Sequence, residues 1–163
     1  MSSRQRTLAA PITLEGVGLH TGAQVKLTIA PAPENHGYKF QRTDVEGQPV
    51  IRADADLVVE TQRGTTLEEN GARVHTTEHV LAALYGSKVD NALLQLDGPE
   101  VPIMDGSAWP FIQAIESVGF EEQNADRHYL VLDETLTYEA PDKKIEMLAV
   151  PTKGGEFRVT VMV

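Results

Sequence analysis

Between Thr7 and Asp44 apolar and polar residues alternate through three runs, TLAAPITLEGVGLHTG, AQVKLTIAPA and GYKFQRTD, divided by glycine-rich and PAPENHG turns. In the second run Val25, Leu27 and Ile29 fall on one face and Lys26 and Thr28 on the other. Period-two alternation is what a half-buried antiparallel strand requires, because successive side chains point to opposite faces. LVVETQRGTTLEENGARVHT (57–76) reads as two further strands around a turn at Glu69-Asn70-Gly71, and it leads directly into HTTEH.

The period then changes. A helix is expected from an N-cap at Thr76 or Thr77 through Val80, Leu81 and Leu84, ending at Gly86. NALLQLD (91–97) predicts a strand buried on both faces. A second helix is signalled by Ser107 as N-cap, Pro110 in the first turn, apolar Phe111, Ile112, Ile115 and Val118, and Gly119 at its end. EEQNADRH (121–128) reads as a polar turn, after which YLVLDETLTYEA, KKIEMLAVPT and GEFRVTVMV resume strand text. The pattern predicts an α+β fold, an antiparallel sheet layered with two helices over 1–126, with 127–163 as the opening strands of a second domain. MLAVPTKGGEFRVTV echoes LTIAPAPENHGYKFQRT, as an internal repeat would, so the second copy is expected to be incomplete at Val163.

Composition narrows the functions. A formal net charge of −10 argues against nucleic acid, which needs clustered Lys and Arg against its phosphates. With no cysteine, disulfides and thiolate zinc sites are excluded, and any metal must sit on His, Asp and Glu. No signal-type apolar segment or run of about 20 apolar residues occurs, so a cytoplasmic protein with no membrane span is expected. No obligate protein partner is evident.

The chemistry-bearing stretch is HTTEHVLAALYG (75–86). Glu78 and His79 fall in the first turn of the expected helix, where the helix dipole complements a carboxylate. A glutamate beside a zinc-ligating histidine can serve as general base, but zinc needs three protein ligands and this stretch has two at best. Three readings stay open on these residues. His75, Glu78 and His79 match the HxxEH pattern of a zinc peptidase, although the expected N-cap between the histidines leaves His75 at a strand end. Glu78 and His79 could instead belong to another hydrolase, or merely start a helix in a non-enzymatic acidic binding module. His20, between glycines in GVGLHTG, reads as a hairpin histidine. Asp97, Glu100 and Asp105 lack calcium-loop spacing, and Asp105 is expected to fix its loop by hydrogen bonds to backbone.

Taken together, QRTLAAPITLEGVGLHTG, PAPENHGYKFQRTD, HTTEHVLAAL and DNALLQLDGPEVPIMDGSAWPF closely resemble the N-terminal half of the UDP-3-O-acyl-N-acetylglucosamine deacetylases. The resemblance implies the first of two similar α/β sandwich domains and zinc-dependent removal of the N-acetyl group from UDP-3-O-acyl-GlcNAc in lipid A biosynthesis. It implies Zn2+ as cofactor, His79 as a metal ligand and Glu78 as the general base. The other ligands are expected beyond Val163, so the fragment is expected to be inactive alone. Thr61, Gln62, Gly64, Leu19 and His20 are expected to line the substrate cleft. Gly64 stands where some relatives carry a cysteine, and His75 matches no ligand of the family.

Overall fold

The protein is described by a computed structural model over residues 4–152 and 157–162. It divides into two compact units, residues 1–127 and 128–163. In the first unit the elements are β1 (Arg4–Leu8), β2 (Ile12–Val17), β3 (Gln24–Pro31), β4 (Tyr38–Arg42), β5 (Val50–Arg52), β6 (Val58–Glu60), β7 (Thr66–Glu69), β8 (Ala72–Val74), α1 (Glu78–Gly86), β9 (Ala92–Leu96), α2 (Trp109–Val118) and β10 (Phe120–Asp126). The second unit holds β11 (Leu136–Ala140) and β12 (Ile145–Ala149), paired antiparallel.

The core sheet runs β2-β3-β9-β4-β5. The alternation read in β3 puts Val25, Leu27 and Ile29 inside, where they meet Leu94 and Leu96 of β9, Phe40 of β4 and, from the helices, Val80, Leu84, Phe111 and Ile115. This is the expected α+β layering, with one correction to the purely antiparallel sheet: β4 and β9 are parallel, Tyr38 opposite Ala92 and Arg42 opposite Leu96. A parallel pair requires a long connection, and α1 lies within the one from β4 to β9. Nor is β9 buried on both faces. Ala92, Leu94 and Leu96 are enclosed, while Leu93 and Gln95 are half-buried, and Gln95 Nε2 donates to Gln41 Oε1 at 2.8 Å.

The first apolar run splits into β1 and β2 around Ala9, Ala10 and Pro11. β1 leaves the core sheet to pair with β10, Leu8 opposite Phe120 and Arg4 opposite Asp126. The supposed polar turn 121–128 is thus mostly strand, because the ladder to β1 and the Gln5, Asn91 and Gln123 side-chain network supply what its polar sequence does not advertise. The β6-β7-β8 sheet includes the expected hairpin, whose two turn residues Asn70 and Gly71 have φ of 52° and 79°, as the hairpin-favouring mirror-image turn demands.

Helix ends differ in detail from expectation. Gly86 is the last residue of α1, and the left-handed residue that ends the turn is Lys88, φ 58°. At α2 the cap position is Ala108 rather than Ser107, but Ser107 Oγ accepts from Trp109 N–H at 3.1 Å, so the serine does the satisfying. Gly119 ends α2 with φ 73°, as expected.

In the second unit residues 129–135 and 157–162 carry no strand, contrary to the reading of both runs. Among the described residues no strand pairing involves either run, and Leu130, Phe157 and Met162 are exposed. The turn of the suggested repeat, 153–156, lies outside the described residues.

Candidate functional site

The start of α1 is set by contacts from far along the chain. After β8, His75 N–H donates to Pro99 O at 2.9 Å and Val101 N–H donates to His75 O at 3.1 Å, an isolated parallel bridge. Thr76 then turns with φ 58°. A β-branched residue in the left-handed region costs on the order of 1–3 kcal/mol and persists only where its surroundings enforce it. Here the enforcement is Thr76 Oγ1 donating to Glu100 Oε1 at 2.7 Å, inside the protein. Thr77 occupies the cap position but its side chain caps nothing; its Oγ1 and N–H both donate to Thr65 O at 3.2 Å. The threonines expected to begin the helix by local capping therefore tie it to the 60–66 segment and to Glu100.

This delivers Glu78 and His79 into the first turn. Glu78 Oε2 accepts from Thr65 N–H at 2.9 Å, which fixes the carboxylate and leaves Oε1 without a hydrogen bond among the described residues. That oxygen lies 3.9 Å from His79 Nε2, with both side chains partly open to solvent. Beside Gly64 a Cβ would sit 3.5 Å from both Glu78 Oε1 and Thr76 Oγ1, so the missing side chain leaves this flank of the carboxylate uncovered.

A cavity of about 280 Å³ is lined by His20, Gln62, Arg63, Gly64, His75 and Thr76 among others; Glu78 and His79 are not part of its lining, and Gly64 and Thr76 are the wall residues nearest the Glu78 carboxylate. Its walls are cross-tied: His20 Nε2 meets Arg63 O at 2.9 Å, and His75 Nδ1 meets Thr66 Oγ1 at 3.0 Å. Of the expected substrate-lining residues, His20, Gln62 and Gly64 line this cavity, whereas Leu19 and Thr61 are exposed and do not. His75 precedes the helix, so the one-face histidine pair that an HxxEH helix requires is not formed. His36 sits in its turn beside Gly37 O, and His128 is exposed.

Glu100, in sequence only one of three loop acids, is enclosed by the protein. It is 1% exposed and accepts from His20 N–H, Thr21 N–H, Thr21 Oγ1 and Thr76 Oγ1 at 2.7–3.1 Å. Burial pushes its carboxyl upward, but the bonds from Thr21, Thr76 and His20 outweigh this and hold it below the ordinary glutamate value. Read as one of three loop acids, it gave no signal of this. Asp105 behaves as expected, accepting from Ser107 N–H and Oγ at 2.9 and 2.8 Å.

Among the described residues no three His, Asp or Glu side chains converge as a metal centre would need. The imidazole of His79, with a fixed carboxylate beside it, suits one ligand of a zinc ion and its neighbouring base, a share of a site rather than a whole one.

Residues 5–163 match the sequence profile of the family described as UDP-3-O-acyl N-acetylglycosamine deacetylase. The chain belongs to this family. Among similar proteins, the "Bifunctional enzyme LpxC/FabZ" of Chlorobaculum tepidum is 50% identical over all of this chain and 34% of its own length. The UDP-3-O-acyl-N-acetylglucosamine deacetylase of Myxococcus xanthus is 46% identical over 98% of this chain and 49% of its own length. That of Thermosynechococcus vestitus is 44% identical, again over 98% of this chain, and 55% of its own. The chain thus spans about a third to a half of these relatives. The deacetylase match runs from within β1 through β12, covering both units.

Proposed function

We propose that this chain carries the first part of a zinc-dependent deacetylase site, which hydrolyses the N-acetyl group of UDP-3-O-acyl-N-acetylglucosamine to acetate and the free amine in bacterial lipid A biosynthesis. The observation that carries the reading is Glu78, held by Thr65 N–H through Oε2 with Oε1 left free 3.9 Å from His79 Nε2, in a chain of the deacetylase family. His79 is the metal ligand this chain would give, completed by ligands from elsewhere in the full-length protein. When bound, zinc supplies Lewis acidity that makes a nucleophile of water at neutral pH.

Glu78 Oε1 takes the proton that the attacking water sheds as its oxygen bonds to the acetamide carbonyl carbon. The same oxygen returns a proton to the nitrogen as the C–N bond breaks, so acetate and amine leave with atoms balanced. Thr65 N–H keeps the carboxylate aimed throughout. His20, Gln62 and Gly64 on the cavity wall, with Leu19 and Thr61 flanking it, would meet the substrate. Among the described residues no helix is long and apolar enough to cross a membrane, and the cytoplasm is the compartment assigned in this reading.

The test is turnover by the full-length protein containing this chain, before and after zinc removal and with Glu78→Ala. Zinc-dependent deacetylation that falls about a hundredfold or more in kcat in the variant is expected for a lost general base. Near-normal turnover by Glu78→Ala, or full activity after chelation, would sink the reading. Since the described residues offer too few donors for zinc, the 163-residue chain assayed alone is expected to show no turnover.

A further inference from the structure

A buried carboxylate needs either a cation or a full set of hydrogen bonds. Glu100 makes no ion pair among the described residues, and every donor it uses comes from two short segments. One is the His20-Thr21 turn. The other is Thr76, two residues before Glu78. The turn is wrapped closely around it: a Cβ on Gly18 would lie 2.5 Å from Glu100 Oε2 and closer still to Thr21 Oγ1.

Both segments lead to the general base by short routes. On one side, the Thr76 hydroxyl holds the left-handed backbone from which α1 departs with Glu78 in its first turn. On the other, Glu100 fixes the backbone of His20, whose ring Nε2 meets Arg63 O at 2.9 Å, and two residues later Thr65 N–H donates to Glu78 Oε2 at 2.9 Å. The segment that grips the base and the kink that presents it are therefore referenced to one side chain.

We infer that Glu100 is a positioning residue of the deacetylase site, aiming the Glu78 carboxylate by clamping the His20-Thr21 turn against Thr76 without itself touching the reacting atoms. This rests on the reading of Glu78 as general base. It makes a specific chemical prediction about glutamine. With its oxygen towards Thr21 and His20, the amide of a glutamine would donate to the Thr76 hydroxyl, which can accept, so most of the clamp survives. Alanine leaves two backbone N–H groups and two hydroxyls without their acceptor.

In the full-length protein, Glu100→Ala is expected to lower kcat roughly 30-fold or more with KM within about threefold of the wild type, because misaiming the base disturbs the chemical step rather than substrate binding. Glu100→Gln should recover most of that loss. Thr76→Ala, which cuts one arm and suits the left-handed backbone no worse than threonine, should cost about fivefold in kcat and serves if Glu100→Ala does not fold. Independently of turnover, hydrogen exchange at the Thr21 and Thr65 amides should quicken about tenfold in the alanine variants, with protection in β3 and β9 unchanged.

A kcat loss below about threefold in both alanine variants, or a loss confined to KM, overturns the proposal. Unchanged protection at Thr65 overturns it as well. If the wild-type protein shows no turnover, the deacetylase reading fails instead, and the exchange data alone decide whether Glu100 clamps the segment holding Glu78.

Discussion

The two helices of the first unit begin in opposite ways. α2 is started by its own neighbourhood: Asp105 accepts from Ser107, and Ser107 accepts from Trp109 N–H, so the bonds span two residues each. α1 is started from a distance. Its approach residues bond to Thr65 and Glu100, 12 and 24 residues away, and include Thr76 in a conformation unsuited to threonine. A helix that only packs can be begun by whatever lies next to it. One that presents Glu78 and His79 at a set angle needs its first turn referenced to distant segments, here Thr65 and Glu100, and local capping cannot give that reference.

The strongest way to break this contrast is Gly18→Ala. A methyl there meets Glu100 Oε2 and Thr21 Oγ1, so the turn must move, and a destabilisation of about 1–3 kcal/mol in denaturant unfolding is expected, with a loss of kcat that exceeds it. Stability unchanged to within about 0.5 kcal/mol would show that the α1 anchor is slack. A second prediction concerns acid. Because the folded protein holds the Glu100 carboxyl below 4.5, the unfolded chain binds that proton first. Its stabilising contribution is complete above that value and is lost as pH falls through the lower folded one. Unfolding free energy between about pH 3 and 5.5 should therefore fall less steeply in Glu100→Gln than in the wild type, and parallel slopes would contradict this. The Asp105 carboxyl is also held low, by the Ser107 hydroxyl and N–H, but it is open to solvent and its share is screened. Smallest is Ser107→Ala, which removes local satisfaction at α2 and should cost about 0.5–1 kcal/mol with kcat unaltered within about twofold. A large kcat loss there would mean that α2, too, is part of the site.

The helices, the inward face of β3, the Asn70-Gly71 hairpin and the Glu78-His79 pair were all legible in the sequence, since each rests on periodicity, turn chemistry or helix-start signals spanning a few residues. What was not legible depended on partners far along the chain. β10 has polar text and is strand because β1 pairs with it across more than a hundred residues. β4 runs parallel to β9 because the chain crosses over between them, which no pattern within either strand records. Strand text at 157–162 is irregular, and no ladder to it is formed among the described residues.

By itself, then, the sequence determined that a carboxylate and an imidazole would stand together at the first turn of a short helix, because adjacent residues cannot be separated by folding. Only the tertiary structure decided where that turn points. Direction is fixed by Thr65, which bonds Glu78 directly, and by Glu100 and His20, which act through Thr76 and Arg63, in contacts that join segments up to 80 residues apart. A buried hydrogen-bonded carboxylate and an exposed loop acid are written with the same letter, and only packing against Thr21 and Thr76 tells them apart.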